Sequence, residues 1–336
     1  MSVACAVYVS NADSREISVL RLDDGALTPI ESQPVGGAVM PLAMRPDHRY
    51  LYASLRSAPF AVAVFAMDPA TGRLTPLSTA PLPDNMAYLA TDRSGRYLLS
   101  ASYSGDKIAV NPIAADGGIG APITVVSTPP HAHSICTDPS NRYLFAAALG
   151  GDVILQYRFD AETGLLTPNE PPRVETTPGA GPRHLVFHPS GSFAFVTNEL
   201  DGTVHSYRFE SATGTLGLIA SASVLPPRSD GPPWTSELRG TPDGRYLYVA
   251  ERTSSTITGF RIDPTTGLLH RLGSTPTETQ PRGFAIDPSG QFLVAAGQQS
   301  HSVTSYTIDP ATGSLTPRQR LGVGRDPNWV EIVALR

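Results

Sequence analysis

The chain has 336 residues, with 25 Lys and Arg against 30 Asp and Glu, and its net charge is −5. This acidic balance argues against nucleic-acid partners and against binding to acidic membranes. No apolar run reaches the length needed to span a bilayer, and the 30 glycines and 32 prolines are typical of a β protein with many turns.

The N-terminal segment and the cysteines both indicate a reducing compartment. No basic stretch followed by an apolar run opens the chain, so we predict no secretory signal peptide. Cys5 and Cys136 fall in predicted strands of different repeat units, and we expect both to be buried free thiols. The expected location is therefore cytoplasmic.

The first element that recurs along the chain is a turn of the form Asp-Pro-Ala-Thr-Gly, followed by Leu-Thr-Pro. It is complete in MDPATGRLTP (67–76) and IDPATGSLTP (308–317), and variants fill the intervals. The turn glycines, including one from a degenerate copy, are Gly25, Gly72, Gly117, Gly164, Gly214, Gly267 and Gly313. Their spacing of 45 to 53 residues, with strand patterning and no sustained helical period, predicts a propeller of four-stranded blades.

A second turn phrase runs in phase with the first and precedes an aromatic residue and an apolar strand. Its six aromatic residues are Tyr50, Tyr97, Tyr143, Phe193, Tyr246 and Phe292. The seventh copy is divided, since residues 326–335 match the strand before the turn and residues 3–22 match the strands after it. We predict an all-β, seven-bladed β-propeller forming a single domain over residues 1–336, with four antiparallel strands per blade. The N- and C-terminal strands then share one blade, which closes the ring and protects the strand edges.

The second phrase also fixes the register of the innermost strand of each blade. The residues six positions before each turn proline, with their equivalents in the two irregular copies, are Met40, Ala87, His133, Arg183, Ser236, Arg282 and Asn328. We predict that these seven residues form a ring around one mouth of the central channel. The next position along the chain adds His184 and Glu237.

The second strand of each blade returns to the same mouth, because consecutive strands are antiparallel. This geometry predicts that Glu199 lies beside Arg183, that Arg252 lies near Ser236, and that Gln298 lies near Arg282. The predicted mouth therefore collects guanidinium, imidazole and carboxylate groups from several blades.

Three arginines at one mouth of an acidic protein predict a local anion site, because the guanidinium fork matches carboxylate and phosphate geometry. Propeller channels are commonly polar, so a structural explanation fits any one of these residues. The combination of three arginines, two carboxylates and two histidines favours a functional explanation. No His, Cys or acidic cluster has metal-ligand spacing, and no phosphate-binding glycine loop is present, so we predict no metal and no cofactor.

Several segments resemble the propeller-type 6-phosphogluconolactonases of bacteria, a family similar in fold to the fungal carboxymuconate cyclases. The segments are GAGPRHLVFHP (179–189), PDGRYLYVAERT (242–253), PTETQPRGF (276–284), AAGQQSH (295–301) and VGRDPNWV (323–330). They span the whole chain in the family's order. Arg239 departs from the pattern, because the family usually has His at that position.

The resemblance implies hydrolysis of 6-phospho-D-glucono-1,5-lactone to 6-phosphogluconate in the oxidative pentose phosphate pathway. We expect Glu199 to be the base, Arg183 to stabilise the oxyanion and His133 to be the general acid. The residues expected to bind or orient the substrate are His184, Glu237, Arg252, Arg282, Gln298 and Asn328.

Two alternatives stay open from the sequence. One is a lactonising muconate cycloisomerase of the same fold, which also needs arginines for carboxylates. The other is a non-enzymatic propeller that binds other proteins, a class that usually displays apolar or aromatic surface patches. The only tryptophans, Trp234 and Trp329, lie near the predicted mouth, which favours a small phosphorylated sugar lactone as the partner. We expect a monomer or a weak homodimer.

Overall fold

The protein is a β-propeller. The computed structural model describes residues 3–228 and 230–336, and within these ranges the chain forms twenty-eight β-strands and one short 3-10 turn, Leu149–Gly151. The strands form seven antiparallel sheets of four strands each, which confirms the predicted fold. No helix among the described residues is both long enough and apolar enough to cross a membrane.

Each blade begins with an innermost strand at the channel, and its other three strands follow outward. Blade 1 contains β28 (Pro327–Ala334), β1 (Cys5–Asn11), β2 (Glu16–Asp23) and β3 (Ala26–Pro34). Blade 2 contains β4 (Val39–Met44), β5 (Tyr50–Leu55), β6 (Ala61–Met67) and β7 (Leu74–Pro81). Blade 3 contains β8 (Met86–Thr91), β9 (Tyr97–Ser102), β10 (Lys107–Pro112) and β11 (Thr124–Ser127).

The remaining blades follow the same order. Blade 4 contains β12 (Ala132–Thr137), β13 (Tyr143–Ala148), β14 (Val153–Phe159) and β15 (Leu166–Glu175). Blade 5 contains β16 (Pro182–Phe187), β17 (Phe193–Asn198), β18 (Thr203–Glu210) and β19 (Thr215–Ser223). Blade 6 contains β20 (Thr235–Gly240), β21 (Tyr246–Glu251), β22 (Thr256–Ile262) and β23 (Leu269–Pro276). Blade 7 contains β24 (Pro281–Ile286), β25 (Phe292–Gly297), β26 (Ser302–Ile308) and β27 (Leu315–Gly322).

The ring is closed by the two ends of the chain. β28 pairs antiparallel with β1, from Cys5 opposite Ala334 to Ser10 opposite Trp329. The innermost strands contact one another in the order β28, β4, β8, β12, β16, β20 and β24, and β24 contacts β28 again. The predicted shared blade is therefore confirmed.

The two repeated phrases interlock between neighbouring blades, which explains why they stay in phase. The aromatic residue of one blade lies against the turn glycine of the next, and the hydroxyl of Tyr143 donates to the carbonyl of Ala212 at 2.9 Å. The pairs are Tyr50 with Gly117, Tyr97 with Gly164, Tyr143 with Gly214, Phe193 with Gly267, Tyr246 with Gly313 and Phe292 with Gly25. A side chain on Gly214, whose φ is +68°, would collide with the Tyr143 ring, so the turn requires glycine.

The cysteines match the prediction in part. Both are free thiols, and Cys5 is buried, but Cys136 is only half-buried. The difference arises because Cys136 lies on β12, an innermost strand, whereas Cys5 lies on β1, the second strand of its blade, and packs in the apolar layer between blades.

A β-bulge interrupts every innermost strand at its mouth end. The residues skipped by the pairing are Met40 and Pro41, Ala87, His133, Arg183 and His184, Ser236 and Glu237, Arg282, and Asn328. A bulge leaves its residue unpaired and redirects the side chain. The seven positions predicted to ring the mouth are therefore all bulge residues.

Candidate active site

Glu199 holds two arginines together at the mouth. It follows β17, and its Oε2 lies 2.7 Å from Nε of Arg183 and 2.8 Å from Nη2 of Arg252. The indole N–H of Trp234 donates to its Oε1 at 3.2 Å. Both carboxylate oxygens are engaged by protein groups, so Glu199 anchors the two guanidinium groups.

Arg183 comes from the bulge of β16 and is fully buried. Its Nη1 donates to the carbonyl of Ser236 at 2.6 Å and lies 3.1 Å from Nε2 of His184. Burial lowers the pKa of Arg183, and the carboxylates of Glu199 and Glu237 offset part of that effect. The guanidinium is thus a desolvated cation held in one orientation, the form in which it stabilises a nearby anion most strongly.

Arg252 lies beside Arg183 although both side chains are cationic. Its guanidinium carbon is 3.9 Å from the centre of a Trp234 ring, and its Nη2 donates to the carbonyl of Thr235 at 3.1 Å. Burial and the neighbouring Arg183 lower the pKa of Arg252 well below its ordinary value. The aromatic face and the carbonyl dipole partly compensate for this unfavourable placement.

Unlike Arg183 and Arg252, Arg282 forms no ion pair with a carboxylate among the described residues. It is half-buried, and among the described residues its Nε makes no hydrogen bond. Burial, Arg183 and Arg56 together lower the pKa of Arg282 to about 9, so it stays charged at neutral pH. We name Arg183, Glu199, Arg252 and Arg282 the mouth cluster. It combines three cations with one anion, which makes it suited to bind an anionic ligand.

His184 is neutral and fully engaged. Its Nδ1 lies 3.0 Å from Oε1 of Glu237, and its Nε2 lies 3.1 Å from Nη1 of Arg183. Because arginine can only donate, Nε2 accepts and Nδ1 carries the hydrogen. Burial and Arg183 also lower the pKa of His184 well below its ordinary value. Since neither nitrogen is free, His184 orients Arg183.

Three rings from three blades pack together beside the mouth cluster. The ring centres of Tyr88 and His184 are 4.9 Å apart, those of Tyr88 and Trp329 are 5.3 Å apart, and those of His184 and Trp329 are 5.8 Å apart. The first two pairs meet edge to face, a favourable geometry for aromatic groups. We name these three residues the floor, and the region between the floor and the mouth cluster the cup.

A second set of charges lies deeper in the channel, and we name Glu237, Arg239 and Glu331 the deep cluster. Nη2 of Arg239 is 3.6 Å from Oε2 of Glu237 and 3.4 Å from Oε1 of Glu331. Arg239 and Glu331 each follow a ring position by three residues, which is about 10 Å along a strand. Burial raises the pKa of both carboxyl groups, and Arg239 offsets part of the shift.

His133 has a free imidazole at the edge of the cup. Its ring centre is 5.1 Å from that of His184, and its buried Nδ1 has no hydrogen-bond partner among the described residues. Burial, Arg183 and His184 lower the pKa of His133 well below its ordinary value. The lowered pKa favours the neutral imidazole of His133 at neutral pH.

Comparisons with known proteins agree with this architecture. The family model described as lactonase, 7-bladed beta-propeller, matches residues 3–332. The chain is 40% identical over 330 residues to the 6-phosphogluconolactonase of Pectobacterium carotovorum, with 98% of each chain covered. It is 40% identical over 329 residues to that of Serratia proteamaculans, again with 98% of each covered. The periplasmic gluconolactonase of Pseudomonas aeruginosa superposes with a TM-score of 0.92 at 29% identity, covering 99% of this chain and 100% of that one.

The chain belongs to the seven-bladed β-propeller lactonase family. The family resemblance predicted from the sequence is therefore confirmed. The mouth cluster, the floor and His133 lie at the end of the channel where the sequence predicted the site.

Two predicted site residues are not joined to the mouth cluster. Gln298 donates to Oδ1 of Asp326 at 2.7 Å. Asn328 is fully buried, accepts from the hydroxyl of Ser10 at 3.0 Å, and donates to the carbonyls of Val39 and Asp326. Its amide is used in joining blade 1 to blade 2. These contacts use both polar side-chain atoms of Asn328 and the side-chain nitrogen of Gln298.

Sequence reasoning missed Arg56, Tyr103 and Glu331, and it named Arg239 without placing it in the channel. Arg56 and Tyr103 directly follow the second strands of blades 2 and 3, the position that Glu199 holds in blade 5. Arg239 and Glu331 stand three residues beyond the predicted ring. In the other five blades that position holds Ala43, Ala90, Cys136, Val186 and Ala285. A charged pair in a tier of small apolar residues was the available signal.

Proposed function

We propose that the protein hydrolyses 6-phospho-D-glucono-1,5-lactone to 6-phosphogluconate, the lactone-opening step of the oxidative pentose phosphate pathway. The observation that carries the proposal is the excess of guanidinium groups over carboxylates in the mouth cluster, where Arg282 forms no ion pair among the described residues. Full-length relatives named 6-phosphogluconolactonase support the same reaction. A dianionic phosphate supplies the negative charge that the cup lacks.

The arginines divide between the two ends of the substrate. Arg282 has donors free for a phosphate, and Arg252 is close enough to Arg282 for that charge to lower its pKa. Arg183 is the most rigidly held of the three and is the group we assign to the carbonyl oxygen of the lactone. As water adds to that carbonyl, the developing oxyanion gains a fixed, desolvated cation.

His133 is the group best suited to move the proton. The neutral imidazole accepts a proton from water as its oxygen bonds to the lactone carbonyl carbon. The imidazolium then returns that proton to the ring oxygen as the carbon–oxygen bond of the lactone breaks, giving a hydroxyl and a carboxylic acid, and the acid then releases its own proton to solvent to become the carboxylate. The acid role that the sequence predicted for His133 is therefore its second step, after it has acted as the base.

Glu199 is a weaker candidate for the base than the sequence suggested. Burial tends to raise its pKa, but Arg183, Arg252 and Arg282 outweigh that effect and lower it. A carboxylate of low pKa that already accepts from three side chains has little basicity left. We assign Glu199 to the orientation of Arg183 and Arg252.

The test is the rate of lactone opening above the spontaneous background, followed by proton release at constant pH. We expect kcat/KM for the phosphorylated lactone to exceed that for glucono-1,5-lactone by about 100-fold, the value of one or two charge-assisted hydrogen bonds. Arg183→Lys keeps the positive charge but loses the planar guanidinium group that can donate two parallel hydrogen bonds. It serves as a control variant with impaired lactone opening.

The relation to a gluconolactonase of nearly identical architecture gives a second candidate, opening of the unphosphorylated lactone. A preference for glucono-1,5-lactone would establish it. Acceleration of neither lactone would overturn both and leave the cycloisomerase or the non-enzymatic scaffold. The cytoplasmic location and the monomeric or weakly dimeric state stay predictions, which cell fractionation and sedimentation test.

A further inference from the structure

Trp234 lies across the mouth cluster with much of its surface open. One face covers the Arg252 guanidinium at 3.9 Å, and the indole N–H bonds to Glu199. Its backbone is also fixed, because its N–H donates to Glu251 at 2.7 Å and its carbonyl accepts from Arg252 at 3.2 Å. Even so, the residue is 38% exposed. An indole held this firmly and left accessible forms a rigid aromatic surface at the entrance of the cup.

Tyr103 stands on the other side of the same entrance. It follows β9 in blade 3, whereas Trp234 precedes β20 in blade 6, and blades 4 and 5 lie between them. Its ring stacks on His131 with centres 4.2 Å apart and planes 8° apart, and it meets His133 edge to face at 5.8 Å. Its hydroxyl has no hydrogen-bond partner in the described part of the chain. Tyr103 is thus a fixed ring with a free polar group beside the proposed base.

These two residues differ from the other aromatic residues of the channel. Tyr88 and Trp329 pack against each other and are 9% and 2% exposed, so they are closed off as part of the floor. Trp234 instead contacts the Glu199–Arg252 ion pair, and Tyr103 contacts His133 and lies within range of the charges of that pair. A sugar ring has apolar C–H faces and a rim of hydroxyls, and aromatic residues that carry a polar atom match this mixture.

We propose that Trp234 and Tyr103 form the two walls of the subsite for the sugar part of the substrate. Trp234 packs its open surface against the C–H groups of the sugar, and the Tyr103 hydroxyl bonds to a sugar hydroxyl. The proposal rests on the proposed function. It names the residues that recognise the sugar, whereas the arginines recognise the phosphate and the lactone carbonyl. It explains why an exposed indole is retained beside two buried cations.

The test separates contact with the sugar from an indirect effect through Arg252. Binding of 6-phosphogluconate, gluconate and inorganic phosphate is measured by calorimetry for the wild type, Trp234→Ala, Trp234→Phe and Tyr103→Phe. We expect Trp234→Ala to weaken 6-phosphogluconate binding about tenfold, because the variant leaves the C–H groups of the sugar without an apolar surface to pack against. Its affinity for inorganic phosphate should change less than about twofold.

The other variants sharpen the assignment. Trp234→Phe keeps a ring but loses the bond to Glu199, and we expect it to retain most of the affinity for 6-phosphogluconate. Tyr103→Phe should raise KM about fivefold to tenfold with kcat nearly unchanged, as expected for one lost hydrogen bond. Leu218→Ala removes an exposed apolar side chain of the outer strand β19 and is the matched surface control.

Three results would overturn the proposal. Equal losses for inorganic phosphate and 6-phosphogluconate in Trp234→Ala would show that Trp234 acts only through Arg252. A Trp234→Phe variant as weak as Trp234→Ala would assign the effect to the indole N–H. Wild-type affinities and a wild-type KM in both Trp234→Ala and Tyr103→Phe would show that neither residue contacts the sugar. If the wild type binds 6-phosphogluconate but opens no lactone, the proposed function fails while the subsite is still tested by the affinities.

Discussion

The mouth cluster and the deep cluster contain the same two kinds of side chain, but opposite charges are in excess. The mouth cluster has three guanidinium groups and one carboxylate, and one of its arginines is unpaired among the described residues. In the deep cluster one guanidinium lies between two carboxyl groups. His184, in the floor, contacts both, through Arg183 above and Glu237 below.

The difference shows how one channel can hold a binding site and its support. In the deep cluster the charge of Arg239 is compensated by two carboxyl groups of the protein, without a ligand. The mouth cluster concentrates positive charge that the protein does not neutralise, at a cost in desolvation. Such an unbalanced set of buried charges is stabilised when an anion binds, and the imbalance therefore marks the functional end of the channel.

The largest expected effect is at His133, the proposed base. His133→Asn should lower kcat about 1,000-fold, within the range of general base catalysis. Because the His133 pKa is lowered and the neutral form is active, kcat/KM of the wild type should stay constant from about pH 8 to about pH 6.5 and fall in more acid solution. A decline that begins above about pH 7 would contradict the assignment.

Arg282→Met should lower kcat/KM for the phosphorylated lactone about 100-fold, and leave glucono-1,5-lactone nearly unaffected. Arg282 also helps to lower the His133 pKa, so the acid limb of the pH profile should move to higher pH in this variant. Its free energy of unfolding should be unchanged or increased, because a repelling cation is removed and no partner is left unpaired. Equal losses on both lactones would place the phosphate elsewhere.

The same substitution in the deep cluster should have the opposite consequence. Arg239→Met leaves two carboxyl groups facing each other without a cation, and should lower the free energy of unfolding by about 2 kcal/mol. This value is below the usual cost of breaking a buried pair because the Arg239 side chain keeps 26% of its surface exposed. Urea denaturation measures it. If Arg239→Met were as stable as Arg282→Met, the two clusters would not differ in how their arginine charges are compensated.

The smallest effect is expected for Glu331→Gln. Burial raises the Glu331 pKa, so protonation favours the folded state, and the stability that this group provides at low pH is lost as the pH rises through the raised pKa. The variant mimics the protonated form, and the indole N–H of Trp329, 3.0 Å from Glu331 in the wild type, can still donate to it. Between about pH 5 and pH 8 the wild type should lose more stability than the variant, by less than about 1 kcal/mol. Thermal melting across that range checks the sign.

Much of the fold and part of the site follow from counting along the sequence. The phase of two turn phrases predicts seven blades, because an aromatic residue of one blade must fit the glycine turn of the next. Counting back from the turn proline reaches Arg183 and Arg282, since strand register is fixed once a turn is fixed.

What counting could not supply is what each bulge residue contacts. The register shifts by one residue in blades 1, 5 and 6 alike. Yet His184 in blade 5 meets Glu237 of blade 6, whereas Asn328 in blade 1 bonds to Ser10 and to the carbonyl of Val39. Protonation was also out of reach, because the state of His133 depends on arginines from other blades.

The strand that closes the ring also carries part of the cup. β28 supplies Trp329 to the floor and Glu331 to the deep cluster, and in chain order it follows the strands β1 to β27. During translation the strands of blades 2 to 7 therefore leave the ribosome before Trp329 and Glu331 do. The floor and the deep cluster are complete only when β28 pairs with β1, so a single late step both seals the sheet edge and finishes the interior of the channel.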